Sequence, residues 1–200
     1  MPLVKEADGL RQWLVSIAAY SVAGLVSSTM VGWAIGSAGR LLPDLGILAI
    51  TLTLLVASIV ALREWGTLRV PLPEWRRQTS SLWGKVLPRP VAAMLWGFDI
   101  GLVFTTFLTF SGAWLLAAIA LSSRDPLFAG ALFGAHWLGR ASTVWVVPWV
   151  IAHSRLGLFD FVELVARSRD QIRRVHALGA LFASVVLVVL AVAGIPLSAH

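Results

Sequence analysis

The chain has 200 residues, of which 58% are apolar and 13% charged, and its mean hydropathy is +0.83. A soluble domain carries about 25% charge, so this chain lacks the polar side chains needed to cover a water-facing surface, and lipid is the solvent its composition calls for. The net charge of +6 does not imply nucleic acid, because the basic residues sit in short segments between apolar runs, and the absence of cysteine excludes disulfides, thiolate metal sites and cysteine nucleophiles together.

A spanning helix needs about 20 mostly apolar residues. The first predicted span, 12–37, lies between Arg11 and Arg40 in a stretch without Asp, Glu, Lys or Arg. Its apolar run exceeds the roughly 7–15 residues of a signal-peptide core, and Glu6 and Asp8 precede it, so it reads as a retained helix. The second span, 44–62, follows Pro43-Asp44, which offer a stop and an N-cap. Residues 63–90 are too polar to span; Trp65, Trp75 and Trp83 among arginines and prolines read as interfacial anchors. The third span, 91–122, contains a single charge, Asp99. The fourth, 126–153, follows Asp125-Pro126, with Asp as the cap and Pro at the first helical position, and it carries His136 and Arg140.

Residues 154–175 form a second polar loop. Within it Phe161, Leu164, Val165, Ile172 and Val175 share a helical face, with Arg167, Arg169, Arg173 and Arg174 largely elsewhere, and Asp160 with Glu163 resembles a capping box. This segment reads as an amphipathic helix on the cytoplasmic surface, with docking of a partner as the alternative. The fifth span is 176–196. The fold class expected is therefore all-α: one polytopic integral membrane domain over 1–200, with about five transmembrane helices and an interfacial amphipathic helix.

Lysine and arginine set the orientation. Lys5, Arg11, Arg63, Arg69, Arg76, Arg77, Lys85, Arg89, Arg155, Arg167, Arg169, Arg173 and Arg174 fall on one side of a five-span chain, and only Arg40 and Arg124 on the other. The N-terminus is then cytoplasmic and the C-terminus outside. The basic residues are mostly arginine and asparagine is absent, a bias that hints at a GC-rich prokaryotic genome, which places the chain in a plasma (inner) membrane. Anionic lipid headgroups are the first partner implied.

Charges within spans normally face protein or water. His136 and Arg140 are spaced i, i+4 on one face of the fourth span, and Asp99 lies at a depth an extended Arg140 could reach. An Asp99–Arg140 contact is expected, serving either as a staple between the third and fourth spans or as part of an ion, proton or solute path with His136 as a titratable neighbour. Thr105, Thr106, Thr109 and Ser111 add hydroxyls to that path or bond their own helix. Gly32 and Gly36 form a GxxxG pattern, Gly130 and Gly134 another, and Gly24 adds a small position. Packing within the chain is the expected use, and a homodimer seam the alternative. No Walker loop, HExxH motif or Ser/His/Asp set is present, and the four histidines have no metal-ligand spacing, so no catalytic residue, metal or cofactor is expected.

From Ala19 to Val150 the pattern resembles the DsbD/CcdA family of transmembrane thiol–disulfide electron conductors. AYSVAGLVSSTMVGWAIGSAG and the apolar run after Pro43 are similar to that family's second and third helices. GFDIGLVFTTFLTFSGAWLLAAIA is similar to its fourth, reactive helix, and PLFAGALFGAHWLGRASTVW to its fifth. Thr109, Phe110 and Ser111 fall where the family carries Thr-Pro-Cys, Trp114 stands in place of the later proline, and the helix bearing the partner cysteine has no counterpart. A serine hydroxyl forms no disulfide, so thiol–disulfide electron conduction is excluded. What the resemblance implies is a scaffold like that of small transporters, with a fourth helix straightened by loss of its prolines. Two functions are expected: a transport-type protein moving a small solute or ion, or a non-catalytic subunit or assembly factor bound to a membrane protein partner.

Overall fold

The computed structural model describes residues 10–43, 45–68, 79–104, 111–153, 160, 163 and 166–192. These residues are all-helical. The helices are α1 (Leu10–Leu41), α2 (Ile47–Trp65), α3 (Trp83–Val86), α4 (Arg89–Gly101), α5 (Gly112–Ser123), α6 (Pro126–His153) and α7 (Arg169–Val192). Two described helices are long and apolar enough to cross a membrane, Arg11–Leu41 and Ile47–Trp65, and only 28% of each apolar window is buried.

α2 starts later than expected. Asp44 lies outside the described residues, and the N-cap is Gly46, at φ 49 with no side-chain cap. The helix stops where Gly66 adopts φ 86 and its N–H bonds the Arg63 carbonyl at 3.0 Å, a left-handed ending that glycine supplies without steric cost. The start of α6 follows the expected chemistry. Asp125 Oδ1 accepts from the N–H groups of Leu127 (2.8 Å) and Phe128 (3.2 Å), with Pro126 at the first helical position.

The third predicted span, 91–122, is not one helix. α4 ends at Gly101, Leu102 caps it, and Val103 stands at φ 61, a backbone region that β-branched residues rarely adopt. α5 resumes at Gly112. The straight helix implied by the missing prolines is thus corrected: Val103, not a proline, interrupts the i→i−4 ladder. Thr105, Thr106 and Thr109 lie outside the described residues. α4 and α5 succeed one another along α1. A Cβ at Gly97 would strike Tyr20 and one at Gly101 would strike Gly24 and Ser27, while Leu121 meets Gly39 farther along. The two short helices therefore share between them the path expected of a single span.

α6 runs antiparallel to α1, from Ala129 against Gly32 to Trp137 against Gly24. α7 is continuous from Arg169, so the end of the predicted polar loop and the start of the fifth span belong to one helix. Most of the proposed amphipathic segment before it, and residues 193–200, lie outside the described residues.

Short α5 is the hub. α1 packs on α4, α6 and α5; α2 packs on α7 and α5; and α5 also touches α6 and α7. Its two sides feed two apolar clusters. Ala113 and Ala120 join Val103, Ala129 and Phe133, whereas Leu115 joins Ala57, Val60, Ala61 and Ala180. The outer faces stay apolar and exposed: Val22, Val26, Met30 and Trp33 on α1, and Leu178, Phe182, Val185 and Val189 on α7.

Candidate functional site

α7 leans on α2 and only grazes α5, which leaves space between α5, α6 and α7. That space is a cavity of about 830 Å³. Each wall is a regular helical face. α6 presents Leu132, His136, Gly139, Arg140 and Thr143; α7 presents Ile172, Val175, His176, Gly179, Ala180 and Ala183; and α5 presents Gly112, Ala113, Leu115, Leu116 and Ile119. The first residues of α5 after the interruption thus open directly onto the cavity.

The sequence placed His136 and Arg140 on one face, and both line this cavity. Both are half-buried. Among the described residues the Arg140 guanidinium makes no hydrogen bond or ion pair, and its electrostatic neighbours are Tyr20 and His136. His176, not singled out from the sequence, approaches His136 from α7 and lies within electrostatic range of Glu64.

Asp99 sits elsewhere. It is 6% exposed on α4, the helix that packs along α1, and it does not line the cavity. No ion pair joins Asp99 to Arg140 among the described residues. The expected contact assumed one continuous third span facing the fourth. With the helix broken at Val103, α4 follows α1 and it is α5 that faces α6.

Ser111 is fully buried at the start of α5. Its N–H donates to Glu64 Oε1 at 2.9 Å, and its hydroxyl donates to the same oxygen. Glu64, 5% exposed, also accepts from Arg173 Nε through Oε2 at 3.3 Å, and Arg173 Nη2 reaches the Arg63 carbonyl at 2.9 Å. One carboxylate thus ties the end of α2 to the start of α5 and to α7, and its negative charge suits a helix N-terminus. The sequence reading had Glu64 in the polar segment 63–90 and Arg173 on a solvated face. The missed signal is an acidic residue directly after the apolar run of the second span.

The glycine pairs are used within the chain. Gly32 and Gly36 receive Ala129 and the Asp125–Pro126 turn, and Gly130 and Gly134 receive Thr29. Gly24 accommodates Trp137, whose Nε1 donates to the Ser21 carbonyl at 2.8 Å. Ser28 Oγ donates to the Phe133 carbonyl at 2.8 Å, a polar tie across the same seam. Gly112, Gly139 and Gly179 differ: nothing lies within 4 Å of a Cβ built on any of them.

Among the described residues no group of His, Asp and Glu is arranged to hold a metal ion. The chemistry of the cavity suits binding: a cationic fork, two imidazoles and a hydroxyl in an otherwise apolar chamber. No family model matches the chain, and no curated protein or solved structure matches it either, so nothing in these comparisons identifies a relative of the DsbD/CcdA conductors.

Proposed function

We propose that the chain is a polytopic membrane protein of transport type that moves a small solute or ion through the space between α5, α6 and α7. The observation that carries this reading is the half-buried Arg140 facing a cavity of about 830 Å³. An ionisable side chain at membrane depth normally faces a water-filled path or the bundle interior. The interruption at Val103 adds support, because non-helical backbone at that depth is tolerated only inside protein or along a cavity, and discontinuous helices flank the sites of many transporters.

In this reading α1, α2, α4 with α5, α6 and α7 make the five spans. Two contacts support the sidedness. Arg40 Nε donates to the Arg124 carbonyl at 3.1 Å, joining the two basic residues assigned outside, and Arg63 meets Arg173, both assigned to the cytoplasm. The exposed apolar stripes of α1 and α7 suit lipid. We place the protein in a prokaryotic plasma membrane and retain a cysteine-free scaffold of DsbD/CcdA type on the strength of the resemblance in its helices.

A second reading, a non-catalytic subunit of a larger complex, draws on α7 alone, where Phe182 is 71% exposed in the middle of a long apolar face. One experiment weighs both. The chain has no cysteine, so single cysteines report cleanly. In native membranes, Thr143→Cys and Ala183→Cys on the cavity are expected to react with a membrane-impermeant maleimide, and Val26→Cys and Val185→Cys on the outer faces to stay unlabelled. Unreactive cavity positions, together with a stoichiometric membrane protein partner in mild-detergent extracts, would replace transport with the subunit reading.

A further inference from the structure

We infer that this cavity is a binding site for a small organic anion, a carboxylate or similar acidic headgroup carrying an apolar body, with Arg140 taking the charge. The inference deepens the transport reading and rests on it for the word substrate; the binding site itself stands on four observations.

The first is charge. Among the described residues Arg140 is the one permanently charged side chain on the cavity wall, and no described carboxylate lines it. Glu64, a buried carboxylate within electrostatic range of the cavity residue His176, is already engaged by Ser111 and Arg173. The second is hydrogen-bonding capacity. The guanidinium offers five N–H donors in a planar fork, and among the described residues its electrostatic neighbours are Tyr20 and His136, neither of them a carboxylate. A carboxylate satisfies that fork two bonds at a time. His136, at i−4 from Arg140, flanks the same spot with an imidazole, while the Thr143 hydroxyl at i+3 donates to the Arg140 carbonyl at 2.7 Å.

The third is the rest of the wall. Leu116, Ile119 and Leu132 give the space an apolar lining that an inorganic ion would leave unfilled, and about 830 Å³ lies in the range of pockets for organic ligands. The fourth is the use of glycine. Gly24, Gly32 and Gly101 are filled by a neighbouring helix, yet Gly112, Gly139 and Gly179, one from each cavity helix, face open space. These three keep volume clear at the place where a ligand body would sit.

The test uses the full chain in phosphatidylcholine nanodiscs, with benzoate as the probe and benzylammonium as the charge-reversed control of the same shape. Saturable benzoate binding without benzylammonium binding is expected. Arg140→Met should weaken benzoate at least tenfold, Arg140→Lys should weaken it less than Arg140→Met because the charge stays while the fork is lost, and Gly139→Leu should weaken it by filling the cavity. Competition by phosphatidylglycerol in the disc would support the anion site and assign it to a lipid headgroup; binding indifferent to that lipid would support it as a site for a water-borne acid. Preferential benzylammonium binding, sulfate binding without benzoate binding, or benzoate binding untouched by both Arg140→Met and Gly139→Leu would overturn the inference. Counterflow in proteoliposomes separates it from the transport reading. Benzoate that binds but does not exchange keeps the site and removes transport. Benzylammonium that exchanges while benzoate does not bind keeps transport and removes the anion site.

Discussion

At Glu64 a single carboxylate meets a backbone N–H, a hydroxyl and a guanidinium from two other helices, and it does so at 5% exposure. Removing it strands buried donors, which costs more than the bonds were worth. Glu64→Ala is expected to destabilise the protein by about 3 kcal/mol, read as a fall in the thermal midpoint in detergent. Ser111→Ala should cost only about 1 kcal/mol, since the backbone N–H still reaches Oε1. Equal effects of the two changes would mean that the carboxylate is not the centre of the tie. The pairing of His136 with Arg140 was legible at this scale because i, i+4 spacing needs no knowledge of the fold. The partners were not: Asp99 and Arg140 were joined on depth alone, and depth does not say which neighbour a helix chooses.

Between helices, glycine serves two opposite ends. Where α1 meets α6, a Cβ at Gly24 would overlap the Trp137 ring, and overpacking of this kind costs about 1–3 kcal/mol. Gly24→Ala should therefore lower the yield of monodisperse protein and its thermal midpoint. Gly179→Ala meets nothing and should raise the midpoint, because alanine in a helix interior is favoured over glycine by about 0.5–1 kcal/mol. The opposite ranking would contradict the packing of α1 on α6. The GxxxG patterns announced close packing but not its partner. The break between α4 and α5 was illegible for a different reason. The stretch is apolar on every side, so it has no period to lose, and no proline marks the stop.

For the whole molecule, the described helices fall into two groups, α1 with α4 and α6, and α2 with α7, joined by α5. An all-helical architecture was readable from composition, and the ends of α1 and α6 from their charges and cap. The division of the third apolar run into two helices was not, because counting apolar runs treats α4 and α5 as one. Sidedness has a direct check in a chain without cysteine. Lys85→Cys is expected to react with an impermeant maleimide only after cells are opened, and Arg124→Cys in intact cells. Labelling of both positions from the same side would refute the five-span arrangement.

In the proposed five-span arrangement, the division of the third span also bears on how the protein is made. α4 has 13 residues and α5 has 12, each well short of the roughly 20 needed to hold a bilayer position alone. If the chain enters the bilayer in order of synthesis, neither piece can stay there unaided, and each must find α1 already in place to lie against. α1 then serves the later helices as a template during biogenesis, and deleting it should leave α4 and α5 stranded on the ribosomal side of the membrane, where a protease-protection assay on nascent chains would find them.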